Sequence, residues 1–142
     1  MSTGNTDRVD YTPAFSRSVG GQLLARFRLD RDGDPECDVD DDGLRHYTIE
    51  LFLTSPRADK IDEVKYVMDD PTYYDPVGYS DDSDNDFREV IQSYGEVPVV
   101  VKVKIGDRVY EQRAWLSNML ENGHAGNLTP AIAEAIRHIK AN

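Results

Sequence analysis

Cysteine is almost missing from this sequence: Cys37 is the only one among 142 residues. No disulfide can form within the chain, and a lone thiol set among acids lacks the positive neighbours that activate a nucleophile. Histidine is scarce too, at three residues. His46, His124 and His138 are far apart, and none accompanies a serine or cysteine in a recognisable nucleophile setting. A glycine-rich phosphate loop is also lacking. These absences argue against hydrolytic and phosphoryl-transfer chemistry, so neither enzymatic activity nor an organic cofactor is expected. No apolar run approaches bilayer-spanning length, and the opening MSTGNTDRVDYTPAF lacks the apolar block of a signal peptide. The expectation is a cytoplasmic protein with no membrane partner.

Positive charge is missing from two segments in particular. Asp30 to Gly43 holds eight acids and one base, and Asp69 to Asp86 holds seven acids and no base. Each segment carries −7 of a total net charge of −11, which leaves the rest of the chain slightly positive. Such faces repel nucleic-acid phosphates, so no nucleic-acid partner is expected. They favour a cationic partner or a divalent metal.

What is present points to one domain rich in strands. Hydrophobic residues make up 39% of the chain and charged residues 30%, enough for a real core in a folded chain of this length. Leu23, Ala25, Phe27 and Leu29 alternate with Arg26 and Arg28, which is strand periodicity. The same alternation places Tyr47, Ile49, Leu51 and Leu53 on one face, and Val64, Tyr66 and Met68 on another. It runs again through Val97, Val99, Val101, Val103 and Ile105. FREVIQ reads as a further strand, and Gly106-Asp107 as a two-residue hairpin turn into RVYEQRAWL. Trp115, grouped with Val109, is expected in the core or against a helix. About six strands separated by turn signals predict an all-β immunoglobulin-like β-sandwich over residues 20–120. Residues 1–19 read as a flexible leader. Thr129 as N-cap, Pro130 in the first turn and the stripe Leu128, Ile132, Ile136 and Ile139 predict a short C-terminal helix over 128–141. That helix would cover one end of the sandwich or present itself to a partner.

Two constellations could bind something. DVDDDG places Asp38, Asp40 and Asp42 at alternating positions before a glycine, as a calcium loop does. Ile49 falls where that loop needs its bidentate glutamate, so the segment is either a solvated acidic loop or a weak Ca2+ site. The second is DDPTYYDP, residues 69–76, where prolines at both ends stop helix and ladder alike. It holds Tyr73 and Tyr74 in a short stiff loop. Tyr73 and Tyr94 either cap the core or line a slot, and Tyr74 reads as a rim residue.

The order VKYVMDDPTYYDP, then FREVIQSYGEVPVVVKVKIGDRVY, resembles the YEATS domain family, in its prokaryotic more than its eukaryotic form. The likeness runs over residues 44 to 117. In that family a strand leads into a His-Pro-Thr-Phe-type loop, and a Gly-Trp-Gly-Glu-Phe-type segment opens a later strand. This chain offers Asp70-Pro71-Thr72-Tyr73 and Ser93-Tyr94-Gly95-Glu96-Val97. The resemblance implies an immunoglobulin-like sandwich and a non-enzymatic binding or adaptor module. Eukaryotic YEATS domains hold acylated lysine between two aromatic rings, with a hydroxyl on the amide. By resemblance Thr72 matches that hydroxyl, Tyr73 the first ring and Tyr94 the second, with Asp70 at the loop histidine and Gly95 beside the second ring. Two such faces about 7 Å apart would desolvate a planar amide. The expected partner is a protein or peptide, cationic or carrying acylated lysine. The alternative is a structural or interaction subunit whose acidic loops bind calcium.

Overall fold

Strands dominate because β-branched and aromatic residues recur at every second position, and one face of each strand can then be buried. The computed structural model describes residues 9–73 and 76–142. Eight strands form: β1 (Gln22–Phe27), β2 (Cys37–Val39), β3 (Arg45–Thr54), β4 (Glu63–Met68), β5 (Val77–Ser80), β6 (Glu89–Ser93), β7 (Pro98–Ile105) and β8 (Arg108–Trp115). In the first sheet the long β3 is central. β1 lies along its C-terminal half and β2 along its N-terminal end, with β6 on the other side, all antiparallel. The second sheet runs β5-β4-β7-β8, also antiparallel. The expected sandwich is what forms.

The inward positions read from the alternation form the middle of the core, which also takes in Phe87, Leu116, Met119 and Leu120. Leu23, Ala25, Phe27, Tyr47, Ile49, Leu51 and Leu53 face Val64, Tyr66, Met68, Val99, Val101 and Val103. Each fully buried aliphatic or aromatic side chain contributes about 1.5–3 kcal/mol. Tyr66 needs a partner for its buried hydroxyl, and it donates to Phe87 O at 2.8 Å. Two inward expectations fail at strand ends: Leu29 is exposed and Ile105 only half-buried.

The acidic stretch is a meander closed by two copies of one turn. Asp30 Oδ1 accepts from Asp32 N and Asp34 N, and Asp40 Oδ1 accepts from Asp42 N and Leu44 N, at 2.9 to 3.0 Å. Each turn closes on a glycine in the left-handed region, Gly33 at φ 84° and Gly43 at φ 81°. A side chain there would be strained, so Asp-x-Asp-Gly is hairpin chemistry.

Three helices complete the fold, where one was expected. Residues 9–19 are a correction to the expected leader: α1 (Pro13–Ser18) starts at Thr12, whose hydroxyl accepts from Phe15 N. Phe15 and Val19 are wholly buried, and Gln112 of β8 ties Asp10 O and Thr12 N to the sheet. Two apolar residues four apart explain the packing. Trp115 is a second correction, at 48% exposed. In β8, Gln112 and Ala114 point inward, so strand parity turns Val109, Arg113 and Trp115 out. Directly after it comes α2 (Leu116–Gly123), with no capping side chain at its own start. Its missing cap is supplied from a distance, as Glu96 Oε1 accepts from Ser117 N at 2.9 Å. The helix α3 (Pro130–Ala141) begins at Thr129 as expected and buries Ile132, Ile136 and Ile139, but Leu128 stays exposed.

Candidate functional site

The C-terminal ends of β4 and β6 and the N-terminal ends of β3 and β7 lie at one tip of the sandwich. The loop after β4 therefore meets the turn between β6 and β7. Asp70 shapes the first loop: its Oδ1 accepts from Thr72 N at 2.8 Å and from the Thr72 hydroxyl at 2.7 Å. Those two donors hold the Asp70 carboxyl below its usual range, the backbone bond counting most. A second turn bond runs from Tyr73 N to Asp70 O. Thr72 is exposed, and its oxygen keeps lone pairs to offer a ligand. Tyr74 and Asp75 lie outside the described residues.

Tyr73 packs half-buried against the core. Its hydroxyl is buried beside Ser93 and has no hydrogen-bond partner among the described residues. Burial raises the phenol above its ordinary value, and the Ser93 hydroxyl opposes that only in part. Ser93 is itself committed, donating to Gly95 O at 2.7 Å. Ser93 thus stands between Tyr73 and the Tyr94-Gly95 turn, so the structure brings these two matched segments together. The Tyr94 ring is tilted against His46, with centroids 5.3 Å apart. It also borders a small cleft of about 80 Å3 with Arg45, His138 and Asn142. Gly95 is buried under the end of α3, where an added Cβ would lie 2.5 Å from the Asn142 carbonyl carbon.

The acids expected as metal ligands do other work. Asp40 Oδ2 bonds His46 Nε2 at 2.7 Å while Oδ1 holds the turn. The His46 bond is the main reason the Asp40 carboxyl titrates low. Asp38 pairs across the ladder with His46, and Asp42 is exposed in the turn. Among the described residues no three His, Cys, Asp or Glu side chains are grouped to hold a metal ion.

Sequence reading missed the polar ring around Tyr94. His46 lies opposite Asp38 in the ladder, and its ring reaches both the Asp40 carboxylate and the Tyr94 ring. His138 Nδ1 meets the Tyr47 hydroxyl at 2.7 Å, and Asn142 Nδ2 donates to His138 O. Those contacts depend on how α3 docks, which no local pattern encodes.

An immunoglobulin-like sandwich that gathers polar and aromatic loops at one tip defines a class of binding scaffolds, rigid sheets carrying the recognition on loops. Residues 47–112 match the family model of the prokaryotic YEATS domain, and that segment of the chain is similar to this family. YEATS domains are binding modules rather than enzymes. No curated protein matches the chain. The matched segment runs from β3 into β8, leaving α1, β1, β2, α2 and α3 outside it.

Proposed function

We propose that this protein is a reader or adaptor module that takes a lysine-containing peptide, acylated at the lysine amine, at the tip formed by Thr72, Tyr73, Tyr94 and Gly95. The observation that carries the reading is the meeting of the two family-matched segments around Ser93. The Thr72 oxygen accepts from the acyl-amide N–H, and the tyrosine faces flank the amide plane. The exposed acids nearby attract the peptide's remaining positive charge, raising its encounter rate.

One observation favours a rival reading, an interaction subunit whose tyrosines only cap the core: Gly95 is covered by Asn142. An acyl-lysine peptide array separates the two. The wild type retains acylated over unmodified peptides, and Tyr73→Ala and Tyr94→Ala each lose that preference. Two variants that bind everything the parent binds leave the core-cap reading standing.

A further inference from the structure

A second cleft, of about 310 Å3, shares no lining residue with the cleft beside Tyr94. Arg26, Phe27 and Leu29 form one wall, and His124, Gly126 and Asn127, from the connection between α2 and α3, form the other. That volume sits at the lower end of the range for small-molecule pockets.

Its polar groups are fixed in one sense, as donors. His124 is only 4% exposed, and its Nε2 accepts from Phe27 N at 3.0 Å. A ring nitrogen that accepts carries no proton, so in the neutral imidazole the proton sits on Nδ1. The tautomer is therefore set by the β1 backbone, leaving Nδ1–H as a donor. Arg26 Nε donates to Gly123 O at 2.8 Å, which pins the guanidinium at the cleft. The same guanidinium lies over the Phe52 ring, 5.3 Å from its centroid.

Charge decides the ligand class. Across β3, Glu50 is the register partner of Arg26, yet both its oxygens are taken, by Arg28 at 3.1 Å and Arg88 at 2.7 Å. Among the described residues no carboxylate pairs with Arg26. Burial keeps His124 neutral, with Arg26 acting in the same direction, so it adds no second positive charge. Asp30, the nearest acid in sequence, has turned its Oδ1 to its own loop. One uncompensated guanidinium and one neutral donor match a monoanion with two oxygens in a plane, which the Arg fork accepts side by side. Leu29, exposed at 37%, offers apolar surface for a tail where the buried Phe27–His124 stack backs the cleft.

We propose that this cleft binds a small organic monocarboxylate, its carboxylate held by Arg26 and His124 Nδ1–H and its hydrocarbon part against Leu29 and Phe27. Its lining shares no residue with the cleft beside Tyr94, and neither reading depends on the other.

The test is an amide-shift titration of the 15N-labelled chain with sodium benzoate and sodium hexanoate, each against its neutral primary amide. The expected result is saturable shifts at Phe27, Gly126 and Asn127 with at least one carboxylate and none with its amide. Arg26→Gln weakens that binding about tenfold or more. Leu29→Asp abolishes it by charge repulsion, and as a change at an exposed position it leaves the fold intact. The proposal is overturned if neither carboxylate gives saturable shifts, if the amides shift the same residues equally, or if both variants keep wild-type affinity.

Discussion

His124 is the side chain whose protonation costs the fold most directly. Burial of its ring, with the Arg26 charge acting the same way, pulls the pKa from 6.5 down to about 4, and its Nε2 accepts from Phe27 N of β1. Between those values the unfolded chain binds a proton that the folded chain refuses, so stability rises with pH across that window. Lowering the pH from 7 to 4 should remove about 3 kcal/mol. Chemical denaturation at stepped pH reads this, and His124→Gln, which keeps an acceptor but cannot charge, should flatten the slope. Tyr73 gives a second prediction. Its hydroxyl is buried without a partner among the described residues, so Tyr73→Phe should leave the melting temperature unchanged or raise it. A clear fall would mean that the hydroxyl has a partner after all.

Elements explain why some of this was readable and some was not. Within β1, β3, β4 and β7 the alternation named the buried positions except Leu24 and Phe52, because period-two burial is a local property of a strand. Thr72 and Tyr73 were legible as a special loop because Pro71 and Pro76 bracket them. By contrast α2 is eight residues long and borrows its cap from Glu96, twenty-one positions away. Nothing near Leu116 announces it. Trp115 was misplaced because a large aromatic suggests burial, while parity in β8 sends it outward. The contact of α2 with β1 rests on Gly123, where an added Cβ would sit 1.9 Å from Ala25 O. Gly123→Ala should therefore push the helix off the strand and cost about 3 kcal/mol, read as a shift in urea midpoint. Thr129→Ala, which removes the cap of α3, should cost only about 1 kcal/mol. If the two substitutions cost the same, the close packing of α2 is not what matters.

For the whole molecule the governing fact is where the charge lies. Two segments hold −7 each, and the rest of the chain is slightly positive. One acidic segment contains the Asp70 loop, and the other ends in the turn that carries Asp40 to His46, beside Tyr94. A field of that sign at the tip should make binding of a lysine-rich peptide weaken as salt rises, since exposed charges are screened beyond about 10 Å at 0.1 M salt. Isothermal titration at stepped salt would show it, and a flat response would remove charge from the account.

The most direct measurement is an amide-shift map of the 15N-labelled chain titrated with a short peptide carrying one crotonylated lysine, beside the unmodified peptide. The account predicts saturable shifts clustered at Asp70, Thr72, Tyr73, Tyr94 and Gly95 with the acylated peptide alone. Shifts absent from that cluster, or identical for both peptides, would contradict it.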